Sequence, residues 1–160
     1  MSVTVTLEDA QLRRALARLS ARLGDLSGPM EEIGQALVTD VDLAFREQRD
    51  PWGDAWRALS DVTLRRRRGT SAQILSDSRR LAGSINYRAG RDSVEVGSNV
   101  VYAAMQHFGG RKSDFSHLWG DIPARPFLPV DPVTGEARLA DDTRDEVAGI
   151  VAAHLEAALG

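Results

Sequence analysis

Ser93-Val-Glu-Val-Gly-Ser-Asn-Val-Val-Tyr-Ala-Ala-Met-Gln-His-Phe-Gly-Gly110 opens the stretch, reaching Leu128, on which the fold turns. Val94 and Val96 alternate with polar neighbours and run into Gly97-Ser98-Asn99, the pattern of a half-buried strand ending in a turn. From Val101 the period changes. Val101, Met105 and Phe108 are spaced as on one helical face, and Gly109 stands where a left-handed residue closes a short helix. After the polar segment Arg111 to Asp121, Ile122-Pro-Ala-Arg-Pro-Phe-Leu128 follows. Its prolines hold the chain extended, so that Phe127 and Leu128 re-enter the core while Arg125 is displayed.

Upstream, Val3, Val5 and Leu7 alternate as in a short strand, and Thr6 with Asp9 reads as a capping box that starts a helix near Leu7. Leu12, Ala15, Leu16, Leu19, Leu23 and Leu26 form an apolar stripe broken by Gly24 to Pro29. Pro29 suits a first helical turn, and Met30, Ile33, Leu37, Val41, Ala44 and Phe45 continue the same spacing to Asp50-Pro51. Pro51 and Gly53 make a turn that throws Trp52 and Trp56 inward or against the second helix. Ser60 can cap a short helix ending in Arg65, Arg66, Arg67, Arg68 and Gly69. Ser76 or Ser78 can cap another, running through Leu81. Ile85, Tyr87 and Ala89 then alternate as a strand that Gly90-Arg-Asp92 turns back into Val94 and Val96. With Val3 to Leu7 or the Phe127 segment, this hairpin becomes a small sheet. Leu139 to Leu159 places Val147, Ile150, Val151, His154, Leu155, Ala158 and Leu159 on one side of a terminal helix that covers the sheet. The expected class is α+β: an antiparallel sheet of three to five strands packed against amphipathic helices, with a long N-terminal helical region and a C-terminal helix.

The chain has 160 residues, which suits one domain over residues 1–160, with Arg111 to Asp121 as a mobile loop. A net charge of −3 gives no overall pull toward nucleic acid or an acidic membrane. Cysteine is absent, which excludes disulfides, thiolate metal sites and cysteine nucleophiles and suits a reducing cytosol. The N-terminus lacks a basic head and an apolar run, and no window approaches about 18 consecutive apolar residues, so a soluble chain without an export signal is expected.

No reaction centre emerges. His107, His117 and His154 are the only histidines. His107 and His117, with Asp114 and Asp121, match no metal motif with a mechanism; a ring donating to a carbonyl explains His107 at a helix end. His154 falls at a core edge. The carboxylates Asp141, Asp142, Asp145 and Glu146 suit the positive end of a helix dipole better than acid–base work. The serines lack a nucleophile elbow, and no glycine pattern cradles phosphate. The chain therefore reads as a non-enzyme that needs no cofactor or metal. Arg65 to Arg68 is the local signal toward nucleic acid, although on a short helix the four point apart and no aromatic interleaves them. Arg111 and Lys112 add a second basic point, while Phe115 and Trp119 are apolar residues in a polar loop, of the kind that anchor a partner.

Taken together, Asp50-Pro-Trp-Gly-Asp-Ala-Trp56, Ile74-Leu-Ser-Asp-Ser78 with Leu81 and Ser84-Ile85, Tyr102-Ala to Gln106-His-Phe-Gly-Gly110, and Pro123-Ala-Arg-Pro-Phe-Leu128 resemble the phage virion morphogenesis family. That family includes tail-completion proteins of P2-like phages and the G protein of Mu-like phages. One departure is Arg79, where a glycine is expected after the hydroxyl residue. The resemblance implies a structural protein of a tailed phage or prophage, completing the tail or joining it to the head. Tail terminator, head–tail connector and small DNA-binding module are the alternatives. It implies neck, connector or tail-tube partners, a homo-oligomeric ring, commonly six-fold, whose lumen passes genomic DNA, no membrane, and a place in the virion after assembly in host cytoplasm. Trp52, Trp56, Tyr102, Gln106, His107, Phe108, Gly109, Gly110, Arg125, Pro126 and Phe127 carry over as signature or interface positions. Phe108 and Phe127 are expected in the core, and Arg125 either at an interface or in an ion pair with an aspartate.

Overall fold

The computed structural model describes residues 2–4 and 10–160. The strand positions Val5 and Leu7, the capping box and the start of the first helix lie outside the described residues. Strand β1 (Ser2–Thr4) is followed by helices α1 (Ala10–Leu23), α2 (Ser27–Glu47) and α3 (Asp61–Arg66), and then by strands β2 (Ile85–Ala89) and β3 (Val94–Ser98). Helices α4 (Ala103–Phe108) and α5 (Asp141–Leu159) complete the order. The class is α+β, with an antiparallel sheet in the order β1-β3-β2. β2 and β3 form the expected hairpin, with Tyr87 opposite Val96 and a turn closed by Gly90 N–H donating to Ser93 O at 2.7 Å. The Phe127 segment is not a strand; isolated bridges join Gly110 to Ile122 before it and Val130 to Ala137 after it.

Apart from Leu23, which is exposed, the leucine stripe of α1 and the apolar positions of α2 fold as their spacing predicts. Leu12, Leu19, Ile33, Leu37, Val41 and Phe45 are buried in one cluster with Val94, Val96, Val147 and Val151. Gly24, at φ +66°, closes α1 through a bond to Ser20 O, and Gln48, at φ +56°, closes α2. Between α2 and the sheet the approach is close: a Cβ on Gly34 would lie 2.2 Å from the Tyr87 ring.

Three expectations need correction. α5 packs on α1 and α2, not on the sheet; α2 is the layer that covers β2 and β3. The α2–α5 seam is fixed by Thr143, whose hydroxyl donates to Asp40 at 2.6 Å, and His154 at the edge meets Glu32 at 2.9 Å. Leu159, expected on the apolar side, is exposed. Second, no α-helix runs from Ser76 or Ser78 through Leu81. Leu75 and Arg79 have φ of +55° and +56°, which breaks any helix there, and only a 3-10 turn at Ala82–Ser84 remains. Arg79 thus occupies a left-handed position, the conformation that glycine adopts without strain. Third, α4 is rotated from the predicted phase. Val100, Ala103 and His107 are buried, while Val101 is 97% exposed and Phe108 36%. The buried side meets the Phe127–Val130 segment, which offers hydrogen-bond partners that only His107 can use. Among the described residues no helix is long and apolar enough to cross a membrane.

Candidate docking groove

The signature segments, far apart in sequence, close on one another. The His107 ring is fully buried and accepts at Nδ1 from Phe127 N–H at 3.2 Å and Leu128 N–H at 3.4 Å; its Nε2–H donates to Val130 O at 3.0 Å. That pattern requires the neutral tautomer, and burial holds the imidazole below its ordinary pKa of 6.5. Trp56 Nε1–H donates to Pro126 O at 2.7 Å, and its ring meets Phe45 edge-on at 5.5 Å. Phe45 in turn touches the buried Phe127 at 5.3 Å. Trp52 is half-buried under the Arg138 guanidinium, 4.6 Å from its ring centroid, and its Nε1 has no hydrogen-bond partner among the described residues. The turn before it is held by Asp50, whose Oδ1 accepts from Trp52 N–H and Asp54 N–H.

Arg125 is not displayed. Only 6% exposed, it donates from Nε to Arg57 O at 2.9 Å and from Nη2 to Ala58 O at 3.3 Å. No aspartate pairs with it among the described residues. Burial first and the positive charge of Arg57 second lower its pKa from the ordinary guanidinium value. The prolines that flank it set its backbone as expected, but that backbone aims the fork inward at two carbonyls left free where the chain is extended at Arg57 and Ala58. Gln106 contributes its carbonyl to Arg125 N–H at 2.9 Å. Gly109, at φ +73°, lies where a Cβ would be 2.7 Å from Ala124 N, and a Cβ on Gly110 would be 2.3 Å from Met105 Sδ. Gly109 lets α4 and the 122–125 segment touch, and Gly110 leaves room for the Met105 side chain.

Above this cluster lies an open groove of about 1020 Å³. Leu59, Val62 and Arg66 form one wall, Leu75, Asp77 and Leu81 the next, and Tyr102, Gln106 and Phe108 a third, with Arg111, Trp119 and Asp121 closing it. Phe108 belongs to this surface and not to the core. Trp119 is 69% exposed, and the Arg66 guanidinium lies 4.3 Å over its ring. The segment Arg111 to Asp121 is anchored at its base, where Gly110 and Ile122 exchange hydrogen bonds at 2.9 and 2.8 Å and Asp121 accepts from Lys112 N–H at 2.8 Å.

The arginine run divides. Ser60 caps α3 by accepting from Thr63 N–H at 3.2 Å, and the helix ends at Arg66. Arg67 turns inward to Ser71 O at 2.6 Å, with Asp77 at 3.8 Å, while Arg65, Arg68, Arg111 and Lys112 are exposed. Among the described residues no group of three or more His, Cys, Asp or Glu could hold a metal ion.

The motif segments thus form one packed cluster beside an open groove. The model of the phage virion morphogenesis family matches residues 7–156. The chain belongs to this family. It is 31% identical over 151 residues to "Putative capsid assembly protein G" of Escherichia phage Mu, covering 92% of this chain and 95% of that protein. With "Mu-like prophage FluMu G protein 2" of Haemophilus influenzae it shares 30% identity over 144 residues, covering 89% of this chain and 94% of that protein. No solved structure matches. Membership in the phage virion morphogenesis family makes this a protein of phage structure or assembly, and the motifs that carried the resemblance are those that knit the cluster. Sequence reasoning missed the groove, because its walls come from four separate segments. The exposed Trp119 was the one local signal.

Proposed function

We propose that this chain is a structural component of a tailed phage or prophage at the head–tail junction, a ring subunit that completes the tail or joins it to the head. A tail-terminator or connector ring is the same reading one layer away. The observation that supports it most is the use of the motif residues: His107, Trp56, Arg125 and Phe127 are consumed in packing, which leaves a non-enzymatic scaffold and the groove with its exposed Trp119 for docking. The partners are further copies of the chain and other neck, connector or tail-tube proteins, and the chain resides in the virion after assembly in host cytoplasm. Arg65, Arg68 and Lys112, exposed and without carboxylate partners among the described residues, are left for non-specific contact with genomic DNA in the lumen. The segment Arg111 to Asp121 is mobile in the free chain and orders on assembly.

Deleting the gene from an inducible prophage tests the reading. Filled heads and separate tails that fail to join, restored by supplying the chain, are the expected result; normal joined particles would overturn it. Hydrogen exchange should show residues 111–121 protected in particles and open in the free chain. Equal protection in both would remove the loop from the interface.

A further inference from the structure

The groove is cationic as well as apolar. Arg57, Arg66 and Arg111 line it without a carboxylate partner among the described residues, Arg125 is buried beneath without one, and Asp77 already faces Arg67. Such a surface fits a ligand that carries an apolar tip flanked by carboxylates. The same chain presents one. The turn from Asp131 to Glu136 puts Val133 at its tip, 90% exposed. It is stiff: Asp131 Oδ1 accepts from Val133 N–H at 2.8 Å and Thr134 N–H at 3.1 Å, Asp131 N–H donates to Glu136 O at 2.8 Å, and the Val130–Ala137 bridge closes its base. The exposed Glu136 and Asp142 flank it, beside Asp141, which Arg144 pairs at 2.8 Å, and Arg138 lies 3.5 Å from Asp131. Asp141 follows Ala137 by four residues, so it lies within about 14 Å of that base. A stiff turn loses little freedom when it docks.

We propose that the groove of one copy receives the Asp131–Glu136 turn and the carboxylates that open α5 of a second copy. The two surfaces share no residue, and when each groove takes the turn of the next copy the contact is head-to-tail and repeats from subunit to subunit. A single-stranded nucleic acid fits less well, because in the groove only Trp119 offers a broadly exposed ring for base stacking. This inference rests on the assembly reading above, and names its contact.

Two variants test it. Arg66→Glu with Arg111→Glu disables the groove and leaves the turn; Val133→Arg with Asp142→Arg disables the turn and leaves the groove. Sedimentation velocity over a concentration series should show the unaltered chain assembling, more weakly at high salt, and each variant monomeric, its dissociation constant raised at least about tenfold. Mixed in equal amounts the variants should form a one-to-one pair and stop there, with Trp119 emission shifting to the blue. Far-UV circular dichroism checks that both are folded. Variants that assemble like the unaltered chain, folded variants that stay apart when mixed, or an unaltered chain that stays monomeric and instead binds a fluorescent single-stranded oligonucleotide in the groove would each overturn it. Because the assembly reading is decided separately by head–tail joining in the deletion strain, this contact can fail while that reading stands.

Discussion

Replacing His107 by alanine removes the acceptor of Phe127 N–H and the donor to Val130 O, and opens a void beside Phe127, whose ring lies 5.2 Å from the imidazole. A buried polar group left without its partner costs about 1–3 kcal/mol, and three are orphaned, Leu128 N–H included, so with the void the loss is at least about 3–5 kcal/mol. A domain of this size has about 5–15 kcal/mol in all. Phenylalanine at the same position fills the space with a larger ring and loses the bonds, for about 2–4 kcal/mol. The pH dependence isolates the ring. Its pKa is lowered in the folded chain, so below 6.5 the unfolded chain takes up a proton that the folded chain refuses, and stability falls as pH drops toward the folded value. The slope reaches about 1.4 kcal/mol per pH unit, and His107→Phe lacks it. Urea denaturation of both chains from about pH 7.5 to about pH 5 should therefore show the gap between them narrowing. An alanine cost below about 1 kcal/mol, or a gap that does not change with pH, would refute the reasoning.

Phe127→Ala should cost about 3–5 kcal/mol in the same assay, whereas Phe108→Ala on the groove wall should cost less than about 1 kcal/mol. Arg125→Lys keeps the charge but not the fork, and leaving one carbonyl of Arg57 or Ala58 unpaired should cost about 1–3 kcal/mol, read as a lowered urea midpoint. Arg79→Gly relieves the left-handed strain at φ +56° and should raise the melting temperature by about 2–4 °C in calorimetry, about 1 kcal/mol.

Elements with a strong period were legible before the structure: α1, α2, the β2–β3 hairpin with its Gly90 turn, and the Ser60 cap of α3. What failed depended on partners distant in sequence. Hydrophobicity put Val101 and Phe108 inside and His107 at an ordinary helix end; the free backbone groups of Phe127 to Val130 reversed that order. Arg125 looked displayed because its neighbours are prolines, yet the carbonyls that receive it belong to Arg57 and Ala58. The expected glycine at Arg79 carried information that the helical spacing toward Leu81 obscured: the chain turns there in a conformation no helix uses. Beyond the apolar Phe115 and Trp119 in a polar loop, the groove had no one-dimensional trace, since Arg66 and Trp119 meet only after folding.

Imaging purified particles by electron microscopy, with the chain located by a bound antibody fragment or directly in the density, puts the whole account to the test. The account predicts copies of the chain in a ring between head and tail, with the groove and Trp119 covered by a neighbour. Particles that are joined, infectious and free of this chain would contradict it.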